Sequence, residues 1–330
     1  MSSKTASALA ARIIERLERG DAVAAEAQAR QAREAVPDDG ELARLHGIAL
    51  LMLGRAPEAR AELAEAVRLA PGDFLARCNY AAALMAGGEA GAAVEILQQV
   101  AQEHPGDAGV RNNLANALRA TGDDARAREQ YLAALAASPG HLGATLNLAA
   151  VELSLGMLFD AERRLRVLLA AQAHPQAWLL LGNVLHRRGK FADAQAAYLQ
   201  GAHLAPGAAE FPYQAALMAD EQGHYAEAVG YYRRALQLDP ALDIAEGQLL
   251  FALRRLYDWA DAKTLGARLR ARITAGADNV DPFGFLAEDS TPAEQLACAR
   301  AVASRVAREA QPLKDRLRFG HVPRKSDAPL

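Results

Sequence analysis

Pro175-Gln-Ala-Trp-Leu-Leu-Leu-Gly-Asn-Val-Leu-His-Arg-Arg-Gly-Lys-Phe-Ala-Asp-Ala-Gln-Ala-Ala-Tyr-Leu-Gln-Gly-Ala-His-Leu-Ala-Pro-Gly-Ala208 is the stretch that decides the fold. Gly189 stands near its middle, Ala194 five residues later, and Pro206 near its end. The same markers recur along the chain. Glycines stand at Gly20, Gly54, Gly88, Gly122, Gly156, Gly189 and Gly223, spaced by 34 except for the 33 between Gly156 and Gly189. Alanine follows each by five: Ala25, Ala59, Ala93, Ala127, Ala161, Ala194 and Ala228. Prolines keep the same period at Pro37, Pro71, Pro105, Pro139, Pro206 and Pro240. A fixed period of this size marks a stacked-repeat architecture. The glycine supplies the positive φ of a tight turn between two helices. The alanine lets those helices approach, and the proline ends the second because it has no N–H to donate.

Composition supports a helical reading. The chain has 330 residues, 51% of them hydrophobic, 23% charged and 5% aromatic. Alanine, the strongest helix former, makes up about a quarter. The expected class is all-α. A net charge of −3 lacks the basic footprint of a nucleic-acid binder. Cys78 and Cys298 are far apart and outside any CxxC pair, so they read as buried thiols in a reducing compartment. The N-terminal apolar run is too short for a signal peptide. The longest stretch without Asp, Glu, Lys or Arg, Gln130 to Val151, is broken by Pro139-Gly140 and is no membrane span. A soluble cytoplasmic protein is expected. No histidine falls in a metal-ligand pattern, and no Walker loop, GxSxG or other catalytic constellation appears. No cofactor, metal or catalytic residue is expected.

With Trp178, Leu181-Gly182, Leu185, Gly189, Ala194, Tyr198, Gly201 and Pro206 at the signature places, residues 175–208 resemble the tetratricopeptide repeat. The resemblance places repeats at 6–39, 40–73, 74–107, 108–141, 142–174, 175–208 and 209–242. A degenerate copy at 243–276 keeps Ala262 but has Tyr257 at the glycine position. It implies a right-handed superhelical solenoid of seven to eight helix pairs over residues 1–276, followed by a C-terminal helical cap. Small residues on first helices (Gly47, Ala81, Ala115, Gly182) are expected to sit close to the second helix. Leu63, Leu97, Tyr131, Leu165, Tyr198 and Tyr232 are expected to fill the space to the next repeat. First helices would line a concave groove for extended peptides or partner proteins.

Asn79, Asn113 and Asn147 fall at one position on three successive first helices. Leu180 interrupts the ladder, Gln214 and Gln248 resume it, and Asn112 and Asn116 lie beside it. Amides both donate and accept, so the ladder can grip a peptide backbone. It can equally bridge neighbouring helices. Binding of a C-terminal carboxylate is disfavoured, because Cys78, Asn112, Leu146, Leu179 and Tyr213 occupy the positions where a lysine would be needed. Arg44, the one basic candidate, has Ile48 where an asparagine should be. The arginine clusters 163–166, 187–190, 254–255 and 268–272 read mostly as solvated faces.

The sequence changes character after Leu253. Asp258-Trp259 follows an arginine- and leucine-rich helix, and Pro282, Phe283 and Phe285 follow in turn. Thr291-Pro-Ala-Glu294 is a capping box that starts a final helix. Leu296, Ala299, Ala303, Val306 and Ala310 share one face of that helix, and Pro312 is expected to end it. Residues 246–330 are similar to the linker between the repeats and the catalytic half of the O-linked N-acetylglucosamine transferase family, its bacterial members above all. That resemblance makes 277–312 a docking or capping segment, with Asp258, Trp259, Pro282, Phe283, Phe285 and Leu296 as its candidates. It makes 313–330 a connector to a glycosyltransferase domain expected beyond Leu330. No catalytic residue carries over. The implied function is recruitment of acceptor proteins for a UDP-sugar-dependent transferase, with the sugar open because spindly-type relatives transfer fucose. The alternative is a free-standing scaffold unrelated to sugar transfer.

Overall fold

The computed structural model describes residues 3–280, 282–286 and 288–317. All regular structure among them is helical. The chain divides into two compact units, Met1–Gln172 and Ala173–Leu330. The division falls inside the array expected as one solenoid, at the single repeat shortened to 33 residues.

The first unit holds five helix pairs. They are α1 (Ser3–Glu18) with α2 (Ala22–Ala35), α3 (Gly40–Met52) with α4 (Ala56–Leu69), and α5 (Phe74–Ala86) with α6 (Ala90–Glu103). α7 (Ala108–Ala120) with α8 (Asp124–Ala137) and α9 (Leu142–Ser154) with α10 (Leu158–Ala171) complete it. The second unit holds α11 (Pro175–Arg187) with α12 (Phe191–Leu204), α13 (Glu210–Glu221) with α14 (Tyr225–Leu238), and α15 (Asp243–Arg255) with α16 (Trp259–Thr274). Two further helices follow, α17 (Pro282–Leu286) and α18 (Pro292–Leu317). Each unit is an all-α repeat solenoid whose pairs match the sequence period.

The seven turn glycines adopt φ between +71° and +87°. Tyr257 takes the same place in the eighth turn with φ +58°. Asp39, Asp73, Asp107 and Asp123 cap helix N-termini by accepting backbone N–H groups.

Packing follows a small-against-large rule. Gly47 faces Leu63, and a Cβ on it would fall 2.4 Å from Leu63 Cγ. A Cβ on Gly182 would fall 2.3 Å from the Tyr198 ring. Ala81 and Ala115 hold the same position opposite Leu97 and Tyr131, and all four are buried. Burying each large side chain contributes about 1.5–3 kcal/mol. The eighth pair reverses the rule, with buried Leu250 on the first helix and Gly266 on the second.

Ion pairs stitch the layers. Glu152 on α9 is fully buried and accepts from Arg164 on α10 at 2.8 and 3.1 Å, with Arg128 of α8 at 3.8 Å. In the second unit Glu288 sits between Arg254 (2.6 Å) and Arg270 (3.2 Å), and Glu246 pairs with Arg268 and Arg272. Several arginines expected on solvated faces therefore serve buried glutamates.

The end of the second unit is closed by Val280, Phe285 and Cys298, which join Leu249, Leu253, Leu265, Leu269 and Ile273 in one core. These placements leave Trp259 and the α18 stripe outside that core and change the expectation for Pro312. Trp259 is 61% exposed and closes nothing. The apolar stripe of α18 points outward, because Cys298 supplies the buried face instead. Pro312 does not end α18, which runs to Leu317. A proline forfeits one backbone hydrogen bond, and the rest of the helical ladder carries past it.

Candidate functional site

First helices of successive repeats in the first unit touch one another, α1 with α3, α3 with α5, α5 with α7 and α7 with α9. Second helices pack chiefly on the first helix behind and ahead of them. The first-helix side is thus the shorter, inner side of this unit, and it carries Asn79, Asn112, Asn113, Asn116 and Asn147.

The structure divides these amides. Asn116 Oδ1 accepts from the Tyr131 hydroxyl at 2.6 Å and from Asn147 Nδ2 at 3.0 Å. Asn147 Nδ2 also reaches Asn112 Oδ1 at 3.4 Å. Burial pushes the Tyr131 hydroxyl up to about 12, so it stays a donor across the physiological range. Asn79 and Asn113 are half-buried, and among the described residues their amides have no hydrogen-bond partner. Gln214 and Gln248 in the second unit are likewise half-buried and unpaired there, and Leu180 is buried. The ladder is therefore two free amides on α5 and α7 beside a bonded cluster on α7 and α9.

On the same first helices Leu75, one turn before Asn79, is a large exposed side chain, and the other neighbours along the chain are small. Ala82 and Ala86 are exposed, and Gly109 and Gly143 are half-buried. Three nearby cations are committed elsewhere. Arg77 pairs with Glu103, Arg111 donates to Gln130 at 2.8 Å, and Arg44 lies 3.6 Å from Asp73. Arg119, exposed on α7 one turn beyond Asn116, also acts on the Tyr131 hydroxyl, so the face offers amide donors and acceptors with one cation beside them.

Profiles of the tetratricopeptide repeat match residues 84–132, and 11–74, 146–209 and 187–243. Together they cover more than half of the chain. This is a tetratricopeptide-repeat protein. Its fold is similar to the crystal structure of the APC/C hetero-tetramer Cut9-Hcn1, with TM-score 0.61 and 18% identity, covering 73% of this chain and 48% of that one. The chain spans about half the length of that relative. It is also similar to a tetratricopeptide repeat protein from Parabacteroides merdae, with TM-score 0.58 and 16% identity, covering 76% of this chain and 100% of that one. Among curated proteins none matches the sequence. At these identities the likeness shows the fold alone.

In this repeat protein the C-terminal candidates scatter. Asp258 caps α16 by accepting from the Asp261 N–H at 3.3 Å. Trp259 lies exposed, with the Tyr257 ring 6.2 Å away edge-on. Pro282 opens α17, Phe285 is buried, and Leu296 is 49% exposed. The Phe283 side chain and residues 318–330 lie outside those described. Thr291 and Glu294 form the expected capping box, each bonding the other's backbone N–H. No helix among the described residues is long and apolar enough to cross a membrane.

Sequence reasoning missed the tyrosine partners of the amides. Asn183 accepts from Tyr198 at 2.8 Å, as Asn116 does from Tyr131. The signal was available as an Asn–Tyr pair fifteen residues apart in both repeats.

Proposed function

We propose that this protein is an interaction module whose first-helix face in the first unit takes an extended segment of a partner protein. The unpaired amides of Asn79 and Asn113, half-buried at equivalent positions on adjacent helices, support this reading. A half-buried amide without a partner loses hydrogen bonding that a peptide backbone restores. Amides recognise backbone donors and acceptors, so recognition would be tolerant of side-chain sequence. The test is a peptide array probed with the wild-type chain and with Asn79→Ala/Asn113→Ala. Peptides retained by the first and weakened tenfold or more by the second, at unchanged melting temperature, are expected. Equal binding by both proteins rejects the amides as the grip.

A finer reading rests on the resemblance of residues 246–330. In it the array recruits acceptor proteins for a UDP-sugar-dependent O-glycosyltransferase domain that docks at the C-terminal end, beside exposed Trp259. Co-elution with a separately expressed catalytic domain of that family, lost on Trp259→Ala, is the expected result. Absence of a complex leaves the free-standing scaffold.

A further inference from the structure

We propose that α18 is a self-association helix, through which two copies of this chain pair in parallel along a heptad seam. The seam is Leu296, Ala299, Ala303, Val306 and Ala310, a strict alternation of three and four residues, and the sequence continues the register at positions 313 and 317, both leucine. That is the 3.5-residue period that keeps one stripe facing a partner helix. At about 100° per residue, the stripe lies about 120° around the helix from Cys298, the side chain that anchors α18 to its own unit. The fold therefore leaves the seam uncovered, with Leu296 49% and Val306 51% exposed and Ala299 and Ala303 exposed between them. An amphipathic helix normally buries such a stripe, and none of the described residues covers it here.

Charge at the seam's edges selects the occupant and its direction. Glu309 and Lys314 flank the stripe on opposite sides, both exposed and neither with an ion-pair partner among the described residues. Five residues apart, they cannot meet on one helix. In a parallel in-register pair, Glu309 of each copy faces Lys314 of the other, giving two attractive pairs. An antiparallel pair centred on Ala307 would set Arg300 against Lys314, like charge against like. The complementarity is thus to a second copy of this same helix. The alanines permit close approach of the two backbones but supply little apolar area, so association is expected to be weak and concentration-dependent.

Sedimentation equilibrium of the full chain, from about 1 to about 100 µM, reads this directly. Mass rising from 35.1 kDa toward twice that value is expected. Leu296→Glu/Val306→Glu should hold the chain at monomer mass without lowering its melting temperature, because both side chains are exposed. Glu309→Lys should weaken the dimer, and Glu309→Lys with Lys314→Glu should restore it. Leu296→Cys should cross-link to its counterpart through a short bis-maleimide, since Cys78 and Cys298 are buried. A wild-type chain that stays monomeric overturns the proposal, as does a dimer indifferent to the glutamate pair. Failure of Leu296→Cys to cross-link in a dimer that the glutamates do abolish overturns the parallel arrangement.

Discussion

The Tyr131 hydroxyl donates to Asn116 Oδ1 at 2.6 Å, so an amide on the inner face is held by a side chain rooted in the core between repeats. The same oxygen accepts from Asn147 on the next first helix, and the contact links α7, α8 and α9. Tyr131→Phe keeps the ring and deletes the donor. A neutral hydrogen bond contributes about 1 kcal/mol net, so that loss is expected in urea unfolding. Because Asn116 still accepts from Asn147, the loss should not exceed that by much. Peptide binding through Asn79 and Asn113 should survive, which separates the bonded cluster from the free amides.

Tyr131, Tyr198 and Tyr232 are fully buried, and desolvation raises all three hydroxyls, Tyr131 to about 12. Above about pH 10 the unfolded chain releases these protons and the folded chain retains them. The unfolded state then binds fewer protons, so stability falls as pH rises. Each tenfold difference in proton affinity between the two states is worth about 1.4 kcal/mol. Melting temperature should hold to about pH 9 and drop between about pH 10 and 12. Tyr131→Phe should flatten that drop, and absorbance at about 295 nm should show ionisation coinciding with unfolding.

Gly266 leaves the space that the Glu288 carboxylate fills. A Cβ there would fall 2.0 Å from Glu288 Oε2, the oxygen that accepts from Arg270. Gly266→Ala is expected to push Glu288 off its arginines and destabilise the second unit by about 3 kcal/mol, comparable with breaking a buried ion pair. Adding Glu288→Gln should cost little more, because the pair is already broken. The resulting non-additivity in a double-mutant cycle is the readout. Costs that simply add would show that Glu288 does not depend on the space at Gly266.

These residues show where sequence reading succeeds and where it stops. Gly20 through Gly223 and their following alanines are local devices repeated seven times, so a turn and a close helix contact could be read without coordinates. The amides were also legible as a ladder, because one position recurs each period. What they bond to was not, since Tyr131 meets Asn116 only after two helices pack. Glu152, Glu246 and Glu288 look like surface acids in sequence. They become buried through arginines on other helices, a non-local outcome that periodicity does not encode. The α18 stripe was visible, but the side it presents depends on Cys298 finding Val280. The break at Gln172 coincides with a one-residue deletion that the spacing recorded.

Tyr257 offers the sharpest test of the turn. Its φ of +58° occupies the left-handed region that glycine fills in the seven turns before it. For an L-residue with a Cβ that conformation costs about 1–2 kcal/mol. Tyr257→Gly removes the cost, while the freer glycine loses about 0.5–1 kcal/mol more backbone entropy on folding. The ring itself is 76% exposed, so little burial is forfeited. A net gain of about 0.5–1 kcal/mol is therefore expected, read as a higher urea midpoint for the second unit. Tyr257→Ala keeps the Cβ and should show no such gain. If both variants are less stable than wild type, the edge-on contact with Trp259 outweighs the backbone strain, and the aromatic pair rather than the turn geometry holds tyrosine at this position.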